Sequence, residues 1–239
     1  TILISCMHVN NEMGMVFPIY EIGQLLKKYP KVKFHVDAVQ SVGKIPVDID
    51  KMNIDLLSLS AHKFHGLKGS GALIVNQYLS LTPEITGGHQ MYGLRSGTIN
   101  VAGAVALAKA LRLAIEPLQT NYQHVKQLFD HTMNELRKID GVVVNSNHEH
   151  QTPYIINFAA APIKGETLVH ALEEYDVYIS AKSACSSKSA TASRILLALG
   201  ISDEVAQESV RVSFSNLSTM EEVDRLIKAL KIVVAQLKH

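Results

Sequence analysis

The sequence predicts an α/β fold built around a largely parallel sheet. Three observations carry the prediction. Short apolar runs of strand length recur along the chain, each bounded by Gly, Pro, Asn or Asp. Segments with apolar residues at helical spacing lie between and after them. Strand, helix, strand in that order at those lengths is the signature of βαβ winding. The 239 residues are 47% hydrophobic, enough for one large core or two smaller ones.

Taken in order, residues 2–9 are apolar and β-rich. FPIYEIGQLLKKY (17–29) reads as a helix with Pro18 near its start. KVKFHVDAV (31–39), IDLLSLSAHK (54–63) and GALIV (71–75) read as strands. VAGAVALAKALRLAI (101–115) and NYQHVKQLFDHTMNELRKI (121–139) are helical, with Pro117 punctuating between them. Then VVVN (142–145), YIINFA (154–159), VYIS (177–180) and RVSFS (211–215) alternate as short strands with helices at 165–175, 191–199 and 219–237. This predicts two domains, 1–118 and 119–239, the second a smaller α/β unit. There is no internal repeat and no low-complexity tract.

The formal net charge of +1 gives no general field for nucleic acid or membrane, so neither is an expected partner. Two cysteines cannot build a disulfide framework, and no Cys/His cluster has zinc-ligand spacing. A reducing, cytoplasmic setting and no metal are expected. The chain opens on Thr1 inside a strand-like run, which reads as a fragment or a processed product.

The chemistry concentrates where strands end. Asp37 and Gln40 close one strand; Ser60, His62 and Lys63 close the next, and Gly66, Gly69 and Gly71 follow. Ligands of open α/β sheets bind beyond the carboxyl ends of the strands. Taken singly, each residue has an ordinary structural role: Asp37 a turn cap, His62 and Lys63 solvated loop residues. GLKGSG lacks the strict spacing of a phosphate loop. Together, an acid, an amide, a hydroxyl, an imidazole and a lysine are what a pyridoxal phosphate (PLP) pocket requires. Elsewhere, Cys185 lies in SACSSKSATAS (183–193), among small and hydroxylated residues that offer a thiol nothing to pack against.

HVNNEMG, HVDAVQSVGK, SLSAHKFHGLKG, LRSGTINV, SACSS and SVRVSFS resemble, in order, the motifs of the cysteine desulfurases. These are PLP enzymes of the class-V aminotransferase type, with the fold-type I architecture. The resemblance implies part of a large PLP-binding domain followed by a small C-terminal domain carrying a cysteine loop. It implies Lys63 as the Schiff-base lysine, Asp37 against the pyridine nitrogen and Gln40 on the ring's phenolic oxygen. Asn11 would contact cofactor and substrate, and Ser60 and His62 would hold the phosphate. Thr98 would reach the phosphate of a neighbouring subunit, hence a homodimer. Arg211 would clamp the substrate carboxylate, and Cys185 would take sulfur from L-cysteine as a persulfide, leaving L-alanine. Sulfur would pass to an acceptor protein for iron–sulfur assembly or tRNA thiolation. Selenocysteine lyase and a non-catalytic protein that kept the fold are the alternatives.

Cys6 reads as core, His35 as structural, and Arg194 and Lys182 as solvated; His8 stays unassigned. The chain departs from the family pattern at Leu67, where proline is usual, and at His89 and Met91, which replace Gly and Glu. The resemblance also implies an upstream segment that is absent from this sequence. On that reading the chain alone holds PLP weakly and does not turn over.

Overall fold

The computed structural model describes residues 1–146, 149–181 and 192–237. Contacts divide the chain into two compact units: Thr1–His8 with Phe17–Leu118, and Val9–Val16 with Gln119–His239.

The first unit holds a four-stranded sheet in sequence order: β1 (Leu3–Met7), β2 (Lys33–Asp37), β3 (Leu56–Ser60) and β4 (Gly71–Val75). β1, β2 and β3 run parallel, as the winding predicts. β4 runs antiparallel to β3, because GLKGSG turns the chain straight back without a crossover helix. The period of two along each strand sorts the side chains onto two faces. Phe34, Val36, Leu57 and Leu59 are buried in one core with Ile19 and Leu26 of α1 (Ile19–Leu26). Leu107, Ala110, Leu111 and Ala114 of α2 (Val101–Ile115) pack against that core. Cys6 packs there too, half-buried. Ser5, His35, Asp37, Ser58 and Ser60 alternate with these and occupy the other face. There His35 spans three strands, its Nδ1 2.7 Å from Ser5 Oγ and its Nε2 2.8 Å from Ser58 Oγ.

The second unit holds a three-stranded sheet, β5 (Val142–Val144), β6 (Ile155–Ala160) and β7 (Ser209–Ser213), antiparallel throughout. Its helices are α3 (Leu118–Leu136), α4 (Gly165–Glu173), α5 (Arg194–Ala198), α6 (Asp203–Glu208) and α7 (Met220–Leu237). Val125, Leu128, Phe129 and Met133 of α3 and Val223, Leu226, Ile227 and Leu230 of α7 recur at helical spacing. They share a core with Leu168, Leu172, Ile156, Phe158, Val210 and Val212. Pro117 separates α2 from α3, as read from the sequence.

Three expectations need correction. VYIS (177–180) is not a strand but makes a single bridge, Ser180 to Arg211. Its Val177 is drawn into the core, so the run is apolar for burial rather than for pairing. α6 was not anticipated; it is one and a half turns long, too short to show a period, and Ser202 caps it. Nor is 1–118 an undivided domain, because Val9–Val16 groups with the residues after 118. That segment is a hairpin tied to residues 150–155. Val16 N–H donates to His150 O at 2.7 Å, and Thr152 N–H to Gly14 O at 2.9 Å. Gln151 Nε2 donates to Met13 O at 2.7 Å.

Candidate functional site

In the first unit, the parallel register sets Asp37, the last residue of β2, beside Ser58, and β3 continues to Ser60. Ala38 N–H continues that pairing to Ser58 O at 2.9 Å. Asp37 stands exposed at the strand end, and its Oδ1 accepts the Val39 N–H at 3.0 Å. Gln40 follows in the same turn and its Oε1 accepts from Lys44 Nζ at 3.2 Å.

β3 runs from Ser60 directly into a 3-10 turn over Ala61–Phe64, which carries His62 and Lys63. Ala61 and Phe64 are buried, so the turn is pinned by its apolar residues while His62 is exposed and Lys63 half-buried. Gly66 N–H closes the turn on Ala61 O at 2.8 Å. A Cβ on Gly66 would lie 2.8 Å from the Ala61 Cβ and 2.9 Å from the Ala61 oxygen, so glycine is required there. Leu67 O accepts Ser70 Oγ–H at 2.9 Å, which closes the loop without the proline expected at position 67. The sheet thus gathers the carboxylate of Asp37, the hydroxyl of Ser60 and the amine of Lys63 at the ends of two neighbouring strands.

Thr98 lies exposed in the segment before α2. Upstream of it, His89, Met91 and Tyr92 all have positive φ, near 60°, 51° and 59°. His89 and Met91 are two of the positions where the chain departs from the family pattern. At His89 the backbone keeps the left-handed conformation that glycine adopts freely, at a cost to a side chain of about 1 kcal/mol.

In the second unit, Arg211 lies on β7, paired with Asn157 of β6 on one side and with Ser180 on the other. Its guanidinium donates from Nη1 to the Asn11 carbonyl at 2.9 Å. Its Nε is buried with no hydrogen-bond partner among the described residues. Burial lowers its pKa, and the Glu12 carboxylate opposes that shift.

The sequence reading missed the residue that builds this contact. Asn10 is buried, and its Oδ1 accepts both the Glu12 and the Met13 N–H, each at 2.9 Å. Its backbone oxygen takes the Gly14 N–H. This asparagine turn presents the Asn11 carbonyl to Arg211. The signal was present as an Asn opening a turn that ends in glycine. Glu12 and Ser193 were missed as well: Ser193 Oγ–H donates to Glu12 Oε2, and nothing in the sequence joins residues so far apart. Arg194 is exposed, as expected. Cys185 and Lys182 lie outside the described residues.

His8, just after β1, is buried with Nδ1 unpartnered among the described residues, and burial lowers its pKa. Among the described residues no cluster of His, Cys, Asp and Glu could hold a metal ion. No described helix is long and apolar enough to cross a membrane.

The sequence matches the aminotransferase class-V family over residues 1–226. The chain belongs to that family. Its fold is the family's too. A solved structure described as a NifS-like protein superimposes with a TM-score of 0.91 at 34% identity, covering 99% of this chain and 62% of the other. A second, SspA in complex with cysteine, superimposes with a TM-score of 0.74 at 35% identity, over 91% of this chain and 60% of that one. In sequence, the chain is 40% identical over 240 residues to the cysteine desulfurase IscS of Vibrio cholerae. That match covers all of this chain and 59% of the relative's length. In this class-V aminotransferase chain, Asp37 and Ser60 end the parallel strands β2 and β3, Lys63 lies in the turn after β3, and the half-buried Arg211 lies on β7.

Proposed function

We propose that this chain carries the cofactor and substrate residues of a PLP-dependent cysteine desulfurase. The observation that carries the reading is the convergence of Asp37, Ser60 and Lys63 at the ends of adjacent strands, in a chain of this family whose similar relatives are named cysteine desulfurases.

The residues present fit PLP by their donor chemistry: an amine for the aldehyde, a carboxylate for the ring nitrogen, and hydroxyl and imidazole groups for the phosphate. When bound, PLP supplies an electron-accepting ring conjugated to the substrate amine. Lys63 would hold the cofactor and, once released, would be the base for the substrate Cα proton. Asp37 keeps a proton on the ring nitrogen by its negative charge. Gln40 and Asn11 orient the ring and the substrate, and Ser60 and His62 bind phosphate. Arg211 binds the substrate carboxylate through a planar fork whose Nε has no protein partner. Cys185, as a thiolate, would attack the substrate sulfur: an S–S bond forms, the substrate Cβ–S bond breaks with its electron pair left on the carbon skeleton, and protonation of that carbon gives L-alanine while the sulfur stays on Cys185 as a persulfide. The persulfide sulfur goes to an acceptor protein, for iron–sulfur assembly or tRNA thiolation. Thr98 reaches the cofactor phosphate of a second subunit in a homodimer. A reducing, cytoplasmic setting suits a chain whose thiol must stay free.

The test uses the full-length gene product. Added PLP should produce a visible absorbance band, and Lys63→Ala should abolish it. Cys185→Ser should keep the band and lose sulfide release from L-cysteine in the presence of dithiothreitol. A wild-type protein with no band overturns the enzyme reading; undiminished sulfide release from Cys185→Ser overturns the role of the thiol.

A further inference from the structure

Arg211 and Glu12 carry opposite charge, yet among the described residues they do not pair. Glu12 acts electrostatically on the guanidinium. Among the described residues, however, no ion pair within 4.0 Å joins the two, and the Arg211 Nε has no partner. Glu12 follows Asn11, whose carbonyl already accepts from Arg211 Nη1. A carboxylate one residue from the carbonyl that receives a half-buried guanidinium would ordinarily turn onto it, since charge-assisted forks are among the strongest hydrogen bonds available.

Ser193 prevents this. Its Oγ–H donates to Glu12 Oε2. The same oxygen accepts the Ile195 N–H at 3.2 Å and the Leu196 N–H at 3.4 Å, so it caps α5. The cap fixes the direction of the hydroxyl, because both lone-pair directions are taken and only the proton is left to give. Packing holds the two sides in place. Met13, next to Glu12, is buried with Ala192 and Leu196, which flank Ser193. Asn10 locks the turn that carries Glu12.

We infer that Ser193 is a positioning residue for substrate recognition: it holds the Glu12 carboxylate away from Arg211 and so keeps the guanidinium open for the carboxylate of an amino-acid substrate. This rests on the reading of Arg211 as the carboxylate clamp. Glu12 then serves two ends. Its charge lies near the guanidinium, and its tether stops it from occupying the fork.

The test is a rescue experiment on the PLP-loaded full-length protein. Ser193→Ala frees Glu12 to pair with Arg211. The KM for L-cysteine should rise about tenfold with kcat within about twofold, the size expected for competition by one charged hydrogen bond. The dissociation constant for L-alanine, measured by calorimetric titration, should rise by the same factor. Adding Glu12→Gln to Ser193→Ala should restore both, because the amide does not compete for the guanidinium as a charge. The thermal midpoint, lowered by loss of the α5 cap, should stay lowered in the double variant. Rescue of binding without rescue of stability separates the tether from the cap. Unchanged L-alanine binding in Ser193→Ala overturns the inference, as does a defect that Glu12→Gln leaves in place. Arg211→Lys is the control on the underlying reading. If it leaves KM and L-alanine binding unchanged, Arg211 is not the clamp; if it raises both while Ser193→Ala does not, the clamp stands and the tether falls.

Discussion

Removing the Asn10 side chain tests whether the turn beside Arg211 is built by one residue. Asn10→Ala deletes an acceptor that takes two backbone N–H groups, those of Glu12 and Met13, each at 2.9 Å. Met13 is 4% exposed, so water cannot replace the lost bond. An N–H orphaned in that way costs about 1–3 kcal/mol. Glu12 is half-buried and its N–H can find water, so its share is about 0.5–1.5 kcal/mol. The sum is about 1.5–4.5 kcal/mol. Asn10→Asp keeps both acceptor positions and should cost about 1 kcal/mol or less. The chain has no Trp, so unfolding in guanidinium is best followed by far-UV circular dichroism. The turn also sets the Asn11 carbonyl that anchors Arg211, so Asn10→Ala should raise the KM for L-cysteine more than it lowers kcat. Equal destabilisation by Ala and Asp, or a loss from Ala under about 0.5 kcal/mol, would refute the reasoning, since ordinary surface changes are that small.

Three further outcomes follow from single contacts. Phe158→Ala empties a fully buried site on the central strand of the second sheet and should cost about 3–5 kcal/mol, read from the unfolding midpoint. Gly66→Ala pushes a methyl into Ala61 and should weaken PLP retention, measured by equilibrium dialysis, while the far-UV spectrum stays unchanged. His8 is buried neutral, with its pKa lowered from 6.5 by desolvation. The unfolded chain therefore binds a proton first as pH falls, so stability is level above pH 6.5 and declines below it toward the lowered folded value. His8→Gln should flatten that part of a stability-against-pH curve; an unaltered slope would show that His8 does not cause it.

Much of the fold could be read because its residues obey local periods. Phe34, Val36, Leu57 and Leu59 alternate with polar residues, and the α3 and α7 core positions recur at helical spacing. The misreadings share one cause: pairing is not a local property. VYIS has strand composition but meets β7 at one residue only. Nothing within GALIV says that it runs antiparallel; the tight loop before it does. The site divides in the same way. The position of Asp37, Ser60 and Lys63 at or just after strand ends was legible from the apolar runs that precede them. Asn10, Glu12 and Ser193 were not, because their roles come from hydrogen bonds whose partners are set by tertiary packing. His35 read as structural, and its two serine partners on β1 and β3 show the structure it supports.

The Val9–Val16 hairpin has a consequence for dissecting the protein. A chain starting at residue 119 would contain every strand and nearly all of every helix of the second unit, and so would look like a domain. It would lack the Asn11 carbonyl that receives Arg211 Nη1, and Arg211 already has one buried nitrogen without a partner. It would strand Gln151 Nε2, which donates to Met13 O, and it would uncover the buried Ala192, Leu196 and Ala206 where Met13 packs. A half-buried guanidinium stripped of its acceptor, together with the other lost contacts, costs on the order of 2–3 kcal/mol, a large share of the stability of a small domain. Residues 119–239 expressed alone should therefore show helical circular dichroism but a broad, non-cooperative melt. Adding a peptide of residues 9–16 should sharpen it only when Asn10 and Met13 are intact. A sharp two-state melt from the truncated chain would show that the hairpin is accessory to this unit.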